Sequence, residues 1–399
     1  MALETINRVG TTHTYTVQDI FKTAVAGQYA VAAWRLPHTS AVQLCVSLQQ
    51  HLQTGQPILE DSPFGFLFCP FQAIAQQQLF IKADVYADLA SGELIAAPDA
   101  PTAALEQFYT LLAQPVTATW HPPHTSDKQA QQQTDTSFTA VVATAVEAMQ
   151  AGIMEKVVLS RNKRVPLPDG FDATGAFEEL LAAYPRAFVS LVSVPGVGTW
   201  LGASPEVLVS IDNDLVFRTM ALAGTQPAAN ARCVEKAKWR QKEIEEQAMV
   251  ERYILSCFKR LRLRDYSEVG PRTVLAGNLM HLRTDFKVDL KEVDFPTLGS
   301  EMLQLLHPTS AICGLPKEPA LAFILAHEGY NRSYYSGYLG PVNSASGTYL
   351  YVNLRCMQLL AYEAMLYAGA GITAESDPQK EWLETEQKME TMGKVLNFE

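Results

Sequence analysis

Residues 187–225 confine this chain to folds built on antiparallel sheet. They read AFVSLVSV, TWLGASPEVLVSI, a DND turn and LVFRTMALAGT, with only turn-sized gaps between the β-rich runs. Parallel neighbours need a crossover of a dozen or more residues, and there is no room for one. Successive antiparallel pieces are therefore expected.

The flanking pattern extends that reading. Upstream, Phe138, Val142, Ala145 and Met149 share one helical face, Thr136 or Ser137 suits the start and Gly152 the end. This helix, from residue 138, delivers the chain into KVVLSR, headed by Lys156. Downstream come a charged helix at about 232–262 and GTYLYVNLRCMQLL. In the latter, Leu350, Val352, Leu354 and Cys356 alternate with Tyr349, Tyr351, Asn353 and Arg355 as in one strand. AMLYAGAGI is a further strand and PQKEWLETEQKMETMGKVL a terminal helix. Regular βαβ alternation is missing, so the expected class is α+β with large antiparallel sheets.

Residues 1–120, with YAVAAWRL and FGFLFCPF, are expected to be strand-rich. Residues 121–137 read as a polar loop or linker, and 138–399 as the region that carries chemistry. A length of 399 residues with 48% hydrophobic content suggests two or three domains by itself. His121 and His124, set among prolines in the loop, read as ordinary loop residues rather than metal ligands.

A net charge of -11 argues against a nucleic-acid partner, which needs a concentrated surplus of Lys and Arg. A locally basic pocket for a small anion remains compatible with it. The six cysteines form no CxxC pair and read as free thiols of a reducing cytoplasm. The N-terminus has no signal-peptide pattern, and no apolar run approaches the ~20 residues of a membrane span. A cytoplasmic protein without a membrane partner is expected.

Several residues have the makings of a reaction centre. Lys156 heads an apolar strand whose same-face neighbours are Val158 and Ser160. A lysine desolvated there can act as a base, which near neutral pH requires roughly 4 kcal/mol from its surroundings. The plainer reading lays its stem on the sheet rim with the ammonium in water. Glu206 follows the Ser204–Pro205 bend between apolar segments, where desolvation would keep a carboxyl protonated as a proton donor; an exposed strand edge is the alternative.

Glu243 with Glu246, and Glu381 with Glu384, are E-x-x-E pairs, each on one face of its helix. Four carboxylates converging between two helices would suit Mg²⁺. Solvated helix faces explain each pair equally well, and Glu384 with Lys388 is also an i,i+4 surface pair. Arg355 offers a guanidinium fork for a carboxylate. Gly224 with Thr225, and Gly369 with Gly371, allow close backbone approach to an anion, or are plain turns. Neither GxGxxG nor GxxxxGK[ST] occurs, which removes the common nucleotide-binding loops.

Together KVVLSR, GASPEVL, ALAGT, KEIEEQ, MHLRT, LHPTSAICGLP, NRSYYSG, LRC, AGAGI and EWLETEQK resemble the chorismate-utilising enzymes, the family of isochorismate, salicylate, anthranilate and aminodeoxychorismate synthases. The resemblance covers about residues 137–399. It implies a single anthranilate-synthase-like fold over 1–399, two large antiparallel sheets with helices outside, and the length-based expectation of separate domains yields to it. It further implies Lys156 as the base that activates water and Glu206 as the acid that protonates the leaving ring hydroxyl of chorismate. Mg²⁺ would be held by Glu246 and Glu384, supported by Glu243 and Glu381. Tyr335, Arg355 and the Gly369 backbone would hold the enolpyruvyl carboxylate, with Gly224, Thr225, His281 and Lys388 at the ring end.

Within the family, Lys156 together with Ala223 in the ALAGT segment resembles members that use water rather than ammonia. Ala311 stands where salicylate-forming members tend to carry threonine, which favours stopping at isochorismate over onward elimination of pyruvate. A non-catalytic chorismate-binding protein would be expected to lack one of these catalytic or metal residues. Gln247 departs from the histidine usual after the metal-ligand glutamate. The ALAGT segment resembles the menaquinone branch more than the siderophore branch, and a monomer is the simplest expectation.

Overall fold

The β-rich runs of residues 187–225 do form antiparallel strands, but the chain shares them between two sheets. The computed structural model describes residues 15–72, 74–89, 92–123, 133–227, 234, 236–276 and 279–396. Phe188–Val194 and Gly198–Ser204 make a hairpin in a ten-stranded sheet, turned by Pro195 and by Gly196 at φ 76°. Proline followed by a positive-φ glycine is what a type II turn requires. Val207–Asp212 and Val216–Pro227 lie instead in a nine-stranded sheet. The run TWLGASPEVLVSI is thus two strands, parted at Pro205, which has no N–H to give to a ladder.

The same break occurs in GTYLYVNLRCMQLL, and the expectation of one continuous strand is corrected. Gly347–Val352 belongs to the nine-stranded sheet and Cys356–Leu359 to the ten-stranded one. Arg355, at φ 48°, adopts a left-handed conformation that cannot continue a pleat. The two crossings run side by side. Val352 N–H donates to the Glu206 carbonyl at 3.0 Å and Ala203 N–H to the Arg355 carbonyl at 3.0 Å. The Ser204 hydroxyl donates to the Val352 carbonyl at 2.5 Å.

The ten-stranded sheet has the order Gly314–Leu315, Lys156–Pro166, Glu363–Ile372, Cys356–Leu359, Gly198–Ser204, Phe188–Val194, Ala30–Arg35, Val42–Ser47, Val85–Asp88 and Glu93–Ala96. The nine-stranded order is Ser267–Ala276, Leu279–Asp289, Val216–Pro227, Val207–Asp212, Gly347–Val352, Tyr338–Val342, Gly65–Cys69, Leu79–Lys82 and Gln53–Thr54. Strands from the first hundred residues therefore extend both sheets. One apolar cluster, with Trp34, Val192, Trp200 and Tyr367 from one sheet and Phe66, Phe68, Leu339 and Tyr351 from the other, fills the space between them. Two more lie outside, one under helices Val17–Ala26, Thr102–Leu112 and Ala173–Ala183. The other is covered by Asp135–Gln150, Gln241–Arg260, Leu298–Leu306 and Lys317–His327.

Helix Asp135–Gln150 begins three residues before the expected start, because Thr134 rather than Thr136 or Ser137 caps it, accepting the Ser137 N–H at 3.2 Å. The expected loop at 121–137 shrinks accordingly. Phe138, Val142, Ala145 and Met149 are buried as their spacing requires, and Gly152 follows the helix at φ 74°. The charged helix is shorter than 232–262: it begins at Gln241, where the Glu243 carboxylate accepts the Arg240 N–H at 2.7 Å. His124 and Cys233 lie outside the described residues. His121 is buried, its Nε2 3.2 Å from the Tyr29 carbonyl. The five described cysteines are buried free thiols. No described helix is long and apolar enough to cross a membrane.

Candidate active site

The paired crossings put two unlike groups at one opening between the sheets. Glu206 follows the break at Pro205 and Arg355 is itself the second break, so neither side chain stays on a strand face. Both line one cavity. Burial drives the Glu206 carboxyl up to about 8, although Lys156 and Lys388 pull it down. Burial also lowers the Arg355 guanidinium from its ordinary value, with Tyr335 and Glu384 acting against that shift. Among the described residues Arg355 has no ion pair.

The cavity floor is two strands whose facing positions are nearly bare. Glu363–Ile372 pairs with Lys156–Pro166 so that Gly369 stands opposite Ser160 and Gly371 opposite Val158. A Cβ at Gly371 would strike Glu246 Oε1 and come within 3.3 Å of Lys156 Cε; at Gly369 it would lie 3.0 Å from the Tyr335 hydroxyl. A side chain at Gly371 would push the Glu246 carboxylate away from Lys156, and one at Gly369 would crowd the Tyr335 hydroxyl, so both glycines leave these groups their places. Lys156 is fully buried, and its ammonium lies 2.9 Å from Glu246 Oε1. It faces a carboxylate rather than the apolar wall expected from Val158 and Ser160.

The carboxylate helices meet beside this floor. Glu243 caps its helix, so Glu246, one turn further on, points into the cavity. Burial tends to raise the Glu246 carboxyl, but Lys156 and Lys242 outweigh it and hold the group below its ordinary value. Helix Pro378–Gly393 starts with Asp377, which accepts the Lys380 N–H at 2.9 Å, and Pro378. Its Glu384 receives Lys388 Nζ at 2.7 Å, and the same ammonium donates to the Gly369 carbonyl at 2.7 Å. Glu381 is buried and ion-paired with Lys242. Gln247 ties the first helix to the sheet: its Nε2 contacts Glu251 Oε1 and Thr284 Oγ1, both at 3.1 Å, and the Ala221 carbonyl at 3.3 Å.

At the opposite wall, His281 Nδ1 lies 2.7 Å from the Gly224 carbonyl. A carbonyl only accepts, so Nδ1 carries the proton and the buried, unpartnered Nε2 offers a lone pair to the cavity. Burial, with Arg355 nearby, lowers this imidazole to about 3. Nitrogen-15 spectra are expected to show the neutral Nδ1–H form from pH 7 down to pH 5. An imidazolium signal in that window would remove Nε2 as an acceptor. Tyr335 is buried over Gly369 and stacked on Tyr367, with centroids 5.2 Å apart and planes at 11°.

Of the residues singled out from sequence, Glu206, Gly224, Thr225, Glu246, His281, Tyr335, Arg355, Gly369, Glu384 and Lys388 line the one cavity. Lys156 lies beneath it, against Glu246 and Gly371. Glu243 and Glu381 stand in an adjoining polar vestibule with Lys242. Three further features escaped sequence reasoning. Arg161 donates through Nε to Thr385 Oγ1 at 2.6 Å, pairs with Glu386 and stacks 3.6 Å from the Trp382 ring, fastening the Glu384 helix to the Lys156 strand. Glu328 and Arg332 form a buried pair that also holds Ser160 N–H at 2.7 Å and the Val158 and Ile312 carbonyls at 2.7 and 2.8 Å. Lys242 is the third. Arg161, Arg332 and Lys242 stand inside the quoted motifs; the partners of Arg161 and Lys242 are more than 130 positions away and give no local signal, whereas Glu328 stands four residues before Arg332, a spacing that could have marked that pair.

Residues 20–397 match the family described as "Chorismate binding enzyme". Isochorismate synthase EntC of Escherichia coli is 29% identical over 268 residues, 66% of this chain and 68% of that protein. Among solved structures, the menaquinone-specific isochorismate synthase MenF of Escherichia coli superposes with a TM-score of 0.73 at 20% identity, over 96% of this chain and 92% of MenF. A putative 2,3-dihydroxybenzoate-specific isochorismate synthase, DhbC of Bacillus anthracis, gives 0.71 at 21% identity, over 94% of this chain and 97% of that one. Both show the same fold.

Proposed function

Since this chain belongs to the chorismate-binding enzymes, we propose that it interconverts chorismate and isochorismate. The observation that carries this reading is Glu206: a buried carboxyl, pushed up to about 8 by that burial, at an opening it shares with the half-buried Arg355, which has no ion pair among the described residues. The reaction adds water at one ring carbon while a hydroxyl leaves another and the ring double bonds shift. Lys156, acting as the neutral amine, takes the proton of the incoming water and becomes the ammonium that pairs with Glu246, while Glu206 gives a proton to the departing hydroxyl, so composition is unchanged and the step runs in both directions. An acid and a base held apart round one ring are what this exchange needs.

Chorismate is a dianion, and each carboxylate needs a positive partner. Arg355, with the Tyr335 hydroxyl and the bare Gly369 backbone, supports one carboxylate. His281 Nε2 accepts from a ring hydroxyl near Gly224 and Thr225, and Lys388, anchored on Gly369 and Glu384, borders the same end. Water is the nucleophile in this reading because the Ala223 wall brings no second amine, and Ala311 brings no hydroxyl for the onward elimination.

Mg²⁺ fits the residues present. Glu246 and Glu384 reach the same cavity from two helices, and each is balanced by an ammonium, so the wall already holds positive charge against hard oxygen donors. Among the described residues no three His, Cys, Asp or Glu side chains form a ready-made cage. Mg²⁺ does not need one, since it is commonly held by one or two carboxylates together with substrate and water. When bound, it would neutralise the ring carboxylate of the substrate. We place the protein in the cytoplasm and its product in menaquinone or siderophore synthesis.

Incubating purified protein with chorismate and Mg²⁺ and separating the products is expected to yield isochorismate, and yield should fall when Mg²⁺ is chelated. Salicylate with pyruvate would overturn the product assignment. No turnover would overturn the enzymatic reading.

A further inference from the structure

Three carboxylates in this site have a lysine each: Lys156 for Glu246, Lys388 for Glu384 and Lys242 for Glu381. The three lysines differ in freedom. Lys156 is wholly enclosed, and Lys388 is held at both Gly369 and Glu384. Lys242 makes its pair from the first turn of its helix, with 23% of its side chain exposed, and it borders the open vestibule. Its ammonium leaves the helix that carries Glu246 and reaches Glu381 on the helix that carries Glu384. One ammonium thus joins the two carboxylate helices across the gap beside Glu246 and Glu384.

We propose that Lys242 is a built-in counter-ion that holds Glu381 at the edge of the carboxylate site in the metal-free protein and lets go of it, swinging out into the open vestibule, when a divalent cation binds. The inference rests on the Mg²⁺ site proposed above. Without a positive charge between the helices, Glu246, Glu381 and Glu384 would repel one another across a partly desolvated gap. With a divalent cation there, a neighbouring ammonium becomes the repelled partner. The flexible lysine stem and the open vestibule give it a way out, which the enclosed Lys156 lacks. Lys242 is therefore a competitor of the cation, rather than a residue that helps to hold it.

Isothermal titration of the full-length protein with Mg²⁺ tests this without reference to turnover. Lys242→Met should bind Mg²⁺ about 5- to 20-fold more tightly than the unaltered protein, while its melting temperature in chelator falls by several degrees. Lys242→Arg keeps the charge and should leave the affinity within about twofold. Weaker or unchanged Mg²⁺ binding in Lys242→Met would show that Lys242 orders Glu381 for the cation and overturn the proposal. If Lys242→Met does not fold, Lys242→Gln should show the same tightening. Absence of Mg²⁺ binding by the unaltered protein would instead remove the metal site itself.

Discussion

Lys156→Ala is expected to abolish conversion of chorismate, lowering turnover by about 10²- to 10⁴-fold, the range a positioned general base contributes. Lys156 is fully enclosed and touches Glu246, so no neighbouring amine replaces it directly: Lys388 is tied to Glu384 and Gly369, and Lys242 to Glu381. Removing one partner of a buried pair also strands the other, at about 3–5 kcal/mol. The variant should therefore melt lower, and chorismate binding has to be measured beside turnover. Calorimetric binding that persists while product disappears from the chromatogram is the expected pattern. Turnover within tenfold of the unaltered protein would take Lys156 out of the reaction.

Glu206→Gln should be nearly as damaging, because the amide keeps the shape of a protonated carboxyl but has no acidic proton to release. A loss of about 10²- to 10⁴-fold is expected. An ordinary carboxyl, with a value of 4.5, would be ionised at pH 7, whereas Glu206 is held up to about 8 by burial. The unaltered enzyme should therefore keep its proton donor through neutrality and lose kcat/KM as pH rises through about 8. The residual activity of Glu206→Gln should lack that alkaline limb.

Stability should move the other way. Between 4.5 and about 8 the unfolded chain has released the Glu206 proton while the folded protein retains it, so folding stability contributed by this group declines as pH rises. At pH 9 Glu206→Gln is expected to melt above the unaltered protein. An alkaline limb unchanged by the substitution, together with a lower melting point at pH 9, would assign the titration to another group.

Residues whose environment is set by near neighbours are legible in the sequence itself. The Phe138, Val142, Ala145 and Met149 face, the i,i+3 carboxylate pairs and the i,i+4 contact of Glu384 with Lys388 all follow from 3.6-residue periodicity. The glycines of AGAGI are legible only as permissive. What they make room for, Glu246 and Lys156 beside Gly371 and Tyr335 over Gly369, is visible only in the fold. GTYLYVNLRCMQLL misleads for a physical reason: side-chain alternation persists in composition through Asn353–Leu354–Arg355, yet the left-handed backbone at Arg355 sends the chain to the other sheet.

Sequence by itself determined the antiparallel character of the chain, because the short gaps between its β-rich runs leave no room for a parallel crossover, and it marked most of the polar groups that meet in the cavity. Apart from the i,i+4 pair of Glu384 with Lys388, tertiary structure alone decided how those groups are charged and paired. Lys156 and Glu246 are 90 positions apart, and Lys242 and Glu381 are 139 apart. Pairs so distant come together only when two sheets close and two helices cross their edge. Burial then follows from that closure and raises Glu206, and the same closure puts no carboxylate within ion-pair reach of Arg355 among the described residues, neither of which a local pattern of residues can encode.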